Sequence, residues 1–286
     1  MVDNPKDDNL MPMTSVGSGN VTMVASNVHS YTNQIVNLCF IGEPGEPNNW
    51  VLVDAGMPKS AEKIVGEAEE LFGQGAKPKA IILTHGHFDH VGGVAELVKK
   101  WEVPVYAHSL EIPYLHGETS YMEPDPSVAG GLIAKLSGFF PNEPINLEGY
   151  VHALPADGSV PELPEWRWLH TPGHTPGHVS LFRESDQTLI AGDAFTTVKQ
   201  DQMFEVIKQE KEINGPPVYF TPNWRDAHQS VQKLAALRPA FAVTGHGQPM
   251  AGPELITGLT DLSNNFKSKA VPEHGKYVDD DEGTYM

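Results

Sequence analysis

Residues 82–93 read "ILTHGHFDHVGG" and place three histidines and an aspartate in the six positions from 85 to 90. An apolar run, "KAIILTH", leads in, and a glycine pair follows. A catalytic histidine uses one or two polar neighbours, and a histidine packed in a core uses none. Scattered core or surface histidines therefore do not account for the cluster. A helical H-E-x-x-H zinc site is excluded by spacing, since these histidines are not four apart. A Ser-His-Asp arrangement would employ one histidine and leave two idle. Metal binding employs all four side chains, because imidazole nitrogens and a carboxylate suit zinc and similar divalent ions. If the strand ends near Thr84, His85 and His87 point the same way and can share one ion. Asp89 and His90 come after the turn and suit a second.

Four ligands do not close two sites, so the remainder must come from elsewhere in the chain. "TPGHTPGH" puts His174 in a Pro/Gly loop between two strands, "TLIAGD" ends a strand at Asp193, and "FAVTGHG" ends another at His246. Each is a ligand-type side chain at a strand end beside glycine, where backbone and ion can approach closely.

Around these points the chain alternates strand and helix in its first half. "VTMVASNVH", "NQIVNLCFIG" and "WVLVDAG" read as strands. Ser60 is then the expected cap of a helix with Ile64, Val65, Ala68, Leu71 and Phe72 on one face, ended by Gly73. "KAIILTH" is apolar throughout, as a strand buried on both faces requires. "VGGVAELVKKW" reads as a helix and "VPVYAH" as a strand. Residues 109–150 break this alternation with Pro113, Pro124, Pro126, Pro141 and Pro144 and the aromatics Tyr114, Tyr121, Phe139, Phe140 and Tyr150. This is an irregular excursion suited to a lid over a site. "WRWLH", "HVSLFR" and "TLIAGD" resume as strands, and the helix "DAHQSVQKLAALR" precedes a last strand, "AFAVTGH". The expected organisation is a disordered segment at 1–20, a single domain over 21–270 and a mobile acidic tail at 271–286.

Composition narrows the partners. The chain has 286 residues, 37 acidic against 19 basic, a formal net charge of -18 and one cysteine. That charge opposes nucleic acid and anionic membranes, which need a basic footprint. No apolar run is long enough to span a bilayer, and the first twenty residues lack the apolar region of a secretory signal. The lone Cys39, inside an apolar strand, forms no internal disulfide and fits a reducing, cytoplasmic setting.

The order His-x-His-x-Asp-His at 85–90, then His174, Asp193 and His246, with the "VDAG" turn at 53–56, resembles the metallo-β-lactamase superfamily from about Asn33 to Gly247. The resemblance implies an α/β fold, a four-layer αββα sandwich with the site at one edge of the sheets. It implies that His85, His87 and His174 hold one metal and Asp89, His90 and His246 a second. Asp193 would bridge the two together with a water or hydroxide. Zinc is the default, and manganese, iron, cobalt or nickel suit the same ligands. Of the remaining side chains, Asp54 is expected to orient the ligand loops and His178 to support them. His108 is a further residue that can approach the site.

Such a pair of metals lowers the pKa of a bound water and polarises a carbonyl, so the expected chemistry is hydrolysis without a protein nucleophile. Asp89 is the expected proton acceptor. The familiar zinc β-lactamases resembled here carry cysteine where this chain has Asp193. The flavin-linked di-iron branch carries glutamate at the position of His87. A lactone or ester substrate under the aromatic 109–150 segment is the expectation, with Tyr114 and Tyr121 as donors to the substrate oxygen. The alternatives are a hydroxyacylglutathione hydrolase-like thioesterase, using Lys267, Lys269 or Lys276, and a mono-iron persulfide dioxygenase. A purely structural metal module is disfavoured, because structural zinc sites close with four ligands, mostly cysteine.

Overall fold

The computed structural model describes residue 15 and residues 17–128, 145–198 and 211–278. The strands belong to two sheets, one of seven and one of six strands. The chain divides into two compact units, Met1–Tyr121 with Pro141–Trp168, and Met122–Phe140 with Leu169–Met286.

The first unit runs through β1 (Val21–Ala25), β2 (Val28–Asn33), β3 (Val36–Gly42), β4 (Trp50–Val53), α1 (Ala61–Phe72), β5 (Ile81–Ile82), α2 (Phe88–Val91), α3 (Val94–Trp101), β6 (Val105–Ala107), α4 (Ile112–Leu115) and β7 (Val151–Ala153). β1 to β7 lie in chain order across the seven-stranded sheet, antiparallel from β1 to β4 and parallel from β4 to β7. The stretch expected as one strand, "VTMVASNVH", is a hairpin, because Asn27 takes a left-handed φ of 52° and turns the chain between β1 and β2. Asparagine tolerates that conformation better than most residues. Leu38, Phe40, Trp50, Leu52, Ile81 and Val105 pack in one cluster with Ile64, Ala68 and Phe72 of α1 and Val94, Val98 and Trp101 of α3. Trp50 stacks on Phe72 with ring centroids 4.7 Å apart and meets Trp101 edge-on at 5.6 Å. Cys39, Ile41, Val51, Val53 and Ile82, from the alternate positions, are buried as well, which explains why these strands read as unbroken apolar runs. Ser60 stands at the N-cap of α1 without capping it, since its hydroxyl donates to the Ala55 carbonyl at 2.9 Å. Short strands β8 (Ser159–Val160) and β9 (Leu163–His170) follow as an antiparallel pair.

The second unit contains β10 (Val179–Arg183), β11 (Thr188–Gly192), a 3₁₀ turn at Val218–Phe220, α5 (Trp224–Ala236), β12 (Phe241–Thr244), β13 (Met250–Ala251), α6 (Gly252–Asn264) and α7 (Phe266–Lys269). β11 pairs antiparallel with β10 and parallel with β12, and β12 pairs antiparallel with β13. Phe182, Leu189, Ala191 and Ala242 form one core with Trp224, Val231 and Leu234 of α5, Leu255, Leu259 and Leu262 of α6, and Phe266. Asn223 caps α5, its side-chain oxygen accepting from the Asp226 amide at 3.0 Å.

Of the polar N-terminal stretch, Ser15 and Gly19 donate backbone hydrogen bonds to Gln34 and Thr32, and residues 1–14 and 16 lie outside the described residues. Of the 109–150 excursion, α4 and its flanks are described, with Leu115 and Leu147 in the core of the first unit. Residues 129–144, with Phe139, Phe140, Pro141 and Pro144, lie outside the described residues, as do 279–286 of the acidic tail. Among the described residues no helix is long and apolar enough to cross a membrane.

Candidate metal centre

In the first unit, the chain leaves β5 at Ile82 and delivers Thr84, His85 and His87 in an extended loop, then Asp89 and His90 on the single turn α2. The expected continuous helix over "VGGVAELVKKW" is thus two helices, with the glycine pair between them. The pair exists because the backbone after β4 passes very close. Gly92 and Gly93 donate to the carbonyls of Gly56 and Ala55 at 2.8 and 3.0 Å. A Cβ on Gly92 would lie 2.1 Å from the Pro58 nitrogen, and one on Gly93 2.9 Å from the Ala55 oxygen.

That close approach brings Asp54 beneath the loop. Asp54 accepts from the Thr84 amide at 2.8 Å, from the Thr84 hydroxyl at 2.8 Å and from His90 Nδ1 at 2.8 Å. Because the Thr84 hydroxyl gives its proton to Asp54, it can only accept from His85 Nδ1, 3.1 Å away. One carboxylate therefore sets two tautomers, and His85 and His90 both present Nε2 as a lone-pair nitrogen. All four donors, His85, His87, Asp89 and His90, are at most 7% exposed. Candidate ligand atoms of His85 and His87, of His85 and His90, and of Asp89 and His90 lie within 4.8 Å of one another.

In the second unit, Asp193 follows β11, His246 follows β12 and His174 stands in the loop between β9 and β10. The carboxylate of Asp193 lies between the two histidines, its Oδ2 3.4 Å from His174 Nε2 and 3.3 Å from His246 Nε2. His174 Nδ1 faces the Thr221 hydroxyl at 3.5 Å, and that hydroxyl donates to the Pro217 carbonyl, so His174 too directs Nε2 at the carboxylate. His178 supports this arrangement, as expected. Its Nε2 accepts from the Asp193 amide at 2.9 Å, which leaves the proton on Nδ1 for Thr171 Oγ1 at 2.9 Å. Thr171 then donates to Ser180, and Ser180 to the Ala191 carbonyl, so every proton in this buried chain has one direction.

The other named residues separate clearly. The Tyr121 hydroxyl donates to the buried Glu111 carboxylate and accepts from the Gly86 amide at 3.0 Å. Burial, and then Glu111, hold its pKa well above the usual tyrosine range, so the proton stays in place. That proton is directed at Glu111, whereas the expectation had it directed at a substrate oxygen. Tyr114 stacks on Tyr121 at 4.0 Å. His108 accepts from the Leu110 amide at 3.2 Å and packs edge-on against Trp168 at 5.4 Å. Lys269 pairs with Asp261, and Lys276 with Glu123 at 3.6 Å. Cys39 is 1% exposed, and burial pushes its thiol far above the usual range, so it behaves as a small hydrophobe. The sequence carries no cue for Glu111, which is 25 residues from the amide it binds.

The donor chemistry fits a divalent cation. Histidine nitrogens held as lone-pair donors beside a carboxylate repel one another unless a positive charge is shared among them, and these are the ligand types of a hard-to-borderline ion.

Comparison with known proteins agrees with this chemistry. A family model described as metallo-beta-lactamase superfamily matches residues 34–246. The chain is 52% identical over 261 residues to the Bacillus subtilis (strain 168) protein described as probable metallo-hydrolase YflN, covering 91% of this chain and 99% of that one. It is 30% identical over 148 residues to the hydroxyacylglutathione hydrolase GloC of Haemophilus influenzae, covering 52% of this chain and 62% of the relative. Among solved structures, a B3 metallo-beta-lactamase with an active-site glutamic acid superimposes with a TM-score of 0.59 at 17% identity, covering 90% of this chain and 91% of the other. A Sulfolobus tokodaii protein, ST1585, does so with a TM-score of 0.56 at 18% identity over 91% and 93%. At those identities the structural likeness concerns the fold.

Proposed function

The chain is a metallo-hydrolase that belongs to the metallo-beta-lactamase superfamily, and we propose that it cleaves a carboxylic ester-type bond, a lactone or apolar ester, at a centre of two divalent metal ions. His85, His87 and His174 would hold one ion, Asp89, His90 and His246 the other, and Asp193 both. The observation that carries this is the place of the Asp193 carboxylate, with Oδ2 3.4 and 3.3 Å from two histidines assigned to different ions. Bound divalent ions, zinc by default, supply a hydroxide near neutral pH and polarise the scissile carbonyl. The chain's own part is to fix that chemistry in place. Asp54 holds His85 and His90 in the coordinating tautomer, and His178 pins the backbone of Asp193. Asp89 holds the proton released when the carbonyl is attacked and passes it to the leaving oxygen.

An apolar, uncharged substrate suits the net charge of -18. A glutathione thioester is the second reading, favoured by the GloC likeness. The single cysteine fits a reducing, cytoplasmic setting.

The test is a panel assayed with metal-replete protein: acyl-homoserine lactones, aryl esters, S-lactoylglutathione, a β-lactam, and glutathione persulfide with oxygen monitoring. The account expects the highest kcat/KM on a lactone or aryl ester. Preference for S-lactoylglutathione would establish the thioesterase reading, and oxygen uptake with the persulfide would replace hydrolysis by oxidation.

A further inference from the structure

Gly86 lies between the two histidines assigned to the first ion, and its backbone amide is the centre of a partly buried polar triangle. The amide donates to Glu111 Oε2 at 3.0 Å and to the Tyr121 hydroxyl at 3.0 Å. The hydroxyl in turn donates to the same Glu111 oxygen. The amide has one hydrogen shared between two oxygens, the hydroxyl has one hydrogen directed at Glu111, and Glu111 accepts both as a carboxylate. Glu111 is fully buried. A carboxylate held without solvent, by a backbone amide and a tyrosine, makes hydrogen bonds stronger than a neutral acceptor would. The approach is also sterically closed. A Cβ on Gly86 would lie 2.4 Å from the Tyr121 hydroxyl and 3.2 Å from Leu115, so residue 86 must be glycine for the triangle to form. The Tyr121 ring also packs edge-on against His87, centroids 4.6 Å apart, and stacks on Tyr114 at 4.0 Å.

We infer that Glu111 and Tyr121 are positioning residues for His85 and His87: they fix the peptide between the two histidines and thereby the direction of both imidazoles. The inference rests on the assignment of His85 and His87 as ligands. Asp54 acts on the same loop from Thr84, through the tautomer of His85. The triangle acts from Gly86, through the backbone, and supplies His87 with its wall. It also ties the start of the 109–150 segment to the metal loop, so that Tyr121 contributes to metal retention and not to substrate chemistry.

The experiment uses the full chain with the variants Tyr121→Phe and Glu111→Gln. Tyr121→Phe keeps the ring and removes one acceptor of the amide and the donor to Glu111. Glu111→Gln keeps an acceptor oxygen and removes the charge. In metal-free protein, the Gly86 amide resonance should move upfield and its hydrogen exchange should accelerate in both variants. In chelator competition with Zn(II), Tyr121→Phe should weaken one of the two metal equivalents by about 10–100-fold, the range for partners of metal ligands. Glu111→Gln should weaken the same equivalent by less, and the Co(II) absorption spectrum of that site should change in both. An unchanged Gly86 amide would overturn the triangle. A shifted amide with wild-type metal affinity and Co(II) spectrum in Tyr121→Phe would overturn the positioning role. Should wild type itself bind fewer than two equivalents, the two-metal assignment fails separately, and the metal-free amide measurement still decides whether the triangle exists. A Glu111→Gln chain that does not fold leaves the decision with Tyr121→Phe.

Discussion

Asp54 accepts three hydrogen bonds from Thr84 and His90 and is only 3% exposed, so the carboxylate cannot exchange these partners for water. Asp54→Asn is expected to confuse the tautomers of His85 and His90, because the amide brings a donor to a place that needs an acceptor. Chelator competition should show metal affinity reduced by about 10–100-fold. Asp89→Asn separates proton transfer from ligand geometry. Its kcat should fall by about 10²–10⁴-fold, the usual worth of a positioned base, with the first metal retained in elemental analysis. Turnover at the wild-type rate would remove Asp89 from the chemistry. At this scale the sequence was informative about ligand types and poor about their partners. A cluster such as His-Gly-His-Phe-Asp-His has few uses, whereas nothing marks Glu111 as the residue that binds Gly86, and an aromatic-rich segment suggested Tyr121 as a substrate donor when its proton belongs to Glu111.

Elements place these residues at strand ends, and what fixes the elements is close packing. The junction of α2 and α3 lies directly on the backbone of Met57 and Pro58, where a methyl on Gly92 would stand 2.2 Å from the Met57 carbonyl carbon. Gly92→Ala should therefore destabilise by about 1–3 kcal/mol, as overpacking in a closed site does. Urea unfolding would measure it, and a loss below about 0.5 kcal/mol would mean that the junction yields. Asn223→Ala should cost about 1 kcal/mol as the loss of a true helix cap. Ser60 illustrates why such signals mislead. Its residue type and position are those of a cap, yet the hydroxyl is drawn to Ala55 by the turn that the glycine pair receives. Likewise the β1–β2 hairpin hides in "VTMVASNVH", because its turn rests on one left-handed asparagine and not on a Gly or Pro signal.

At the scale of the molecule, the α/β class was legible from alternating apolar runs, while β13, α6 and α7 lie beyond the last motif, which ends at His246. The proposed ligands come from segments between residues 85 and 246, so the ions, when bound, should stabilise the native chain against the unfolded one. Removing them with a chelator should lower the thermal midpoint. Zn(II) at a hundredfold excess over its dissociation constant should restore about 2.7 kcal/mol per site. The central claim is that seven side chains, His85, His87, Asp89, His90, His174, Asp193 and His246, form one centre for two ions. Elemental analysis of metal-replete protein after gel filtration tests it most directly: the account predicts two equivalents per chain, falling to less than one in Asp193→Ala. Saturation at a single equivalent in wild type, or two equivalents kept by Asp193→Ala, would contradict it.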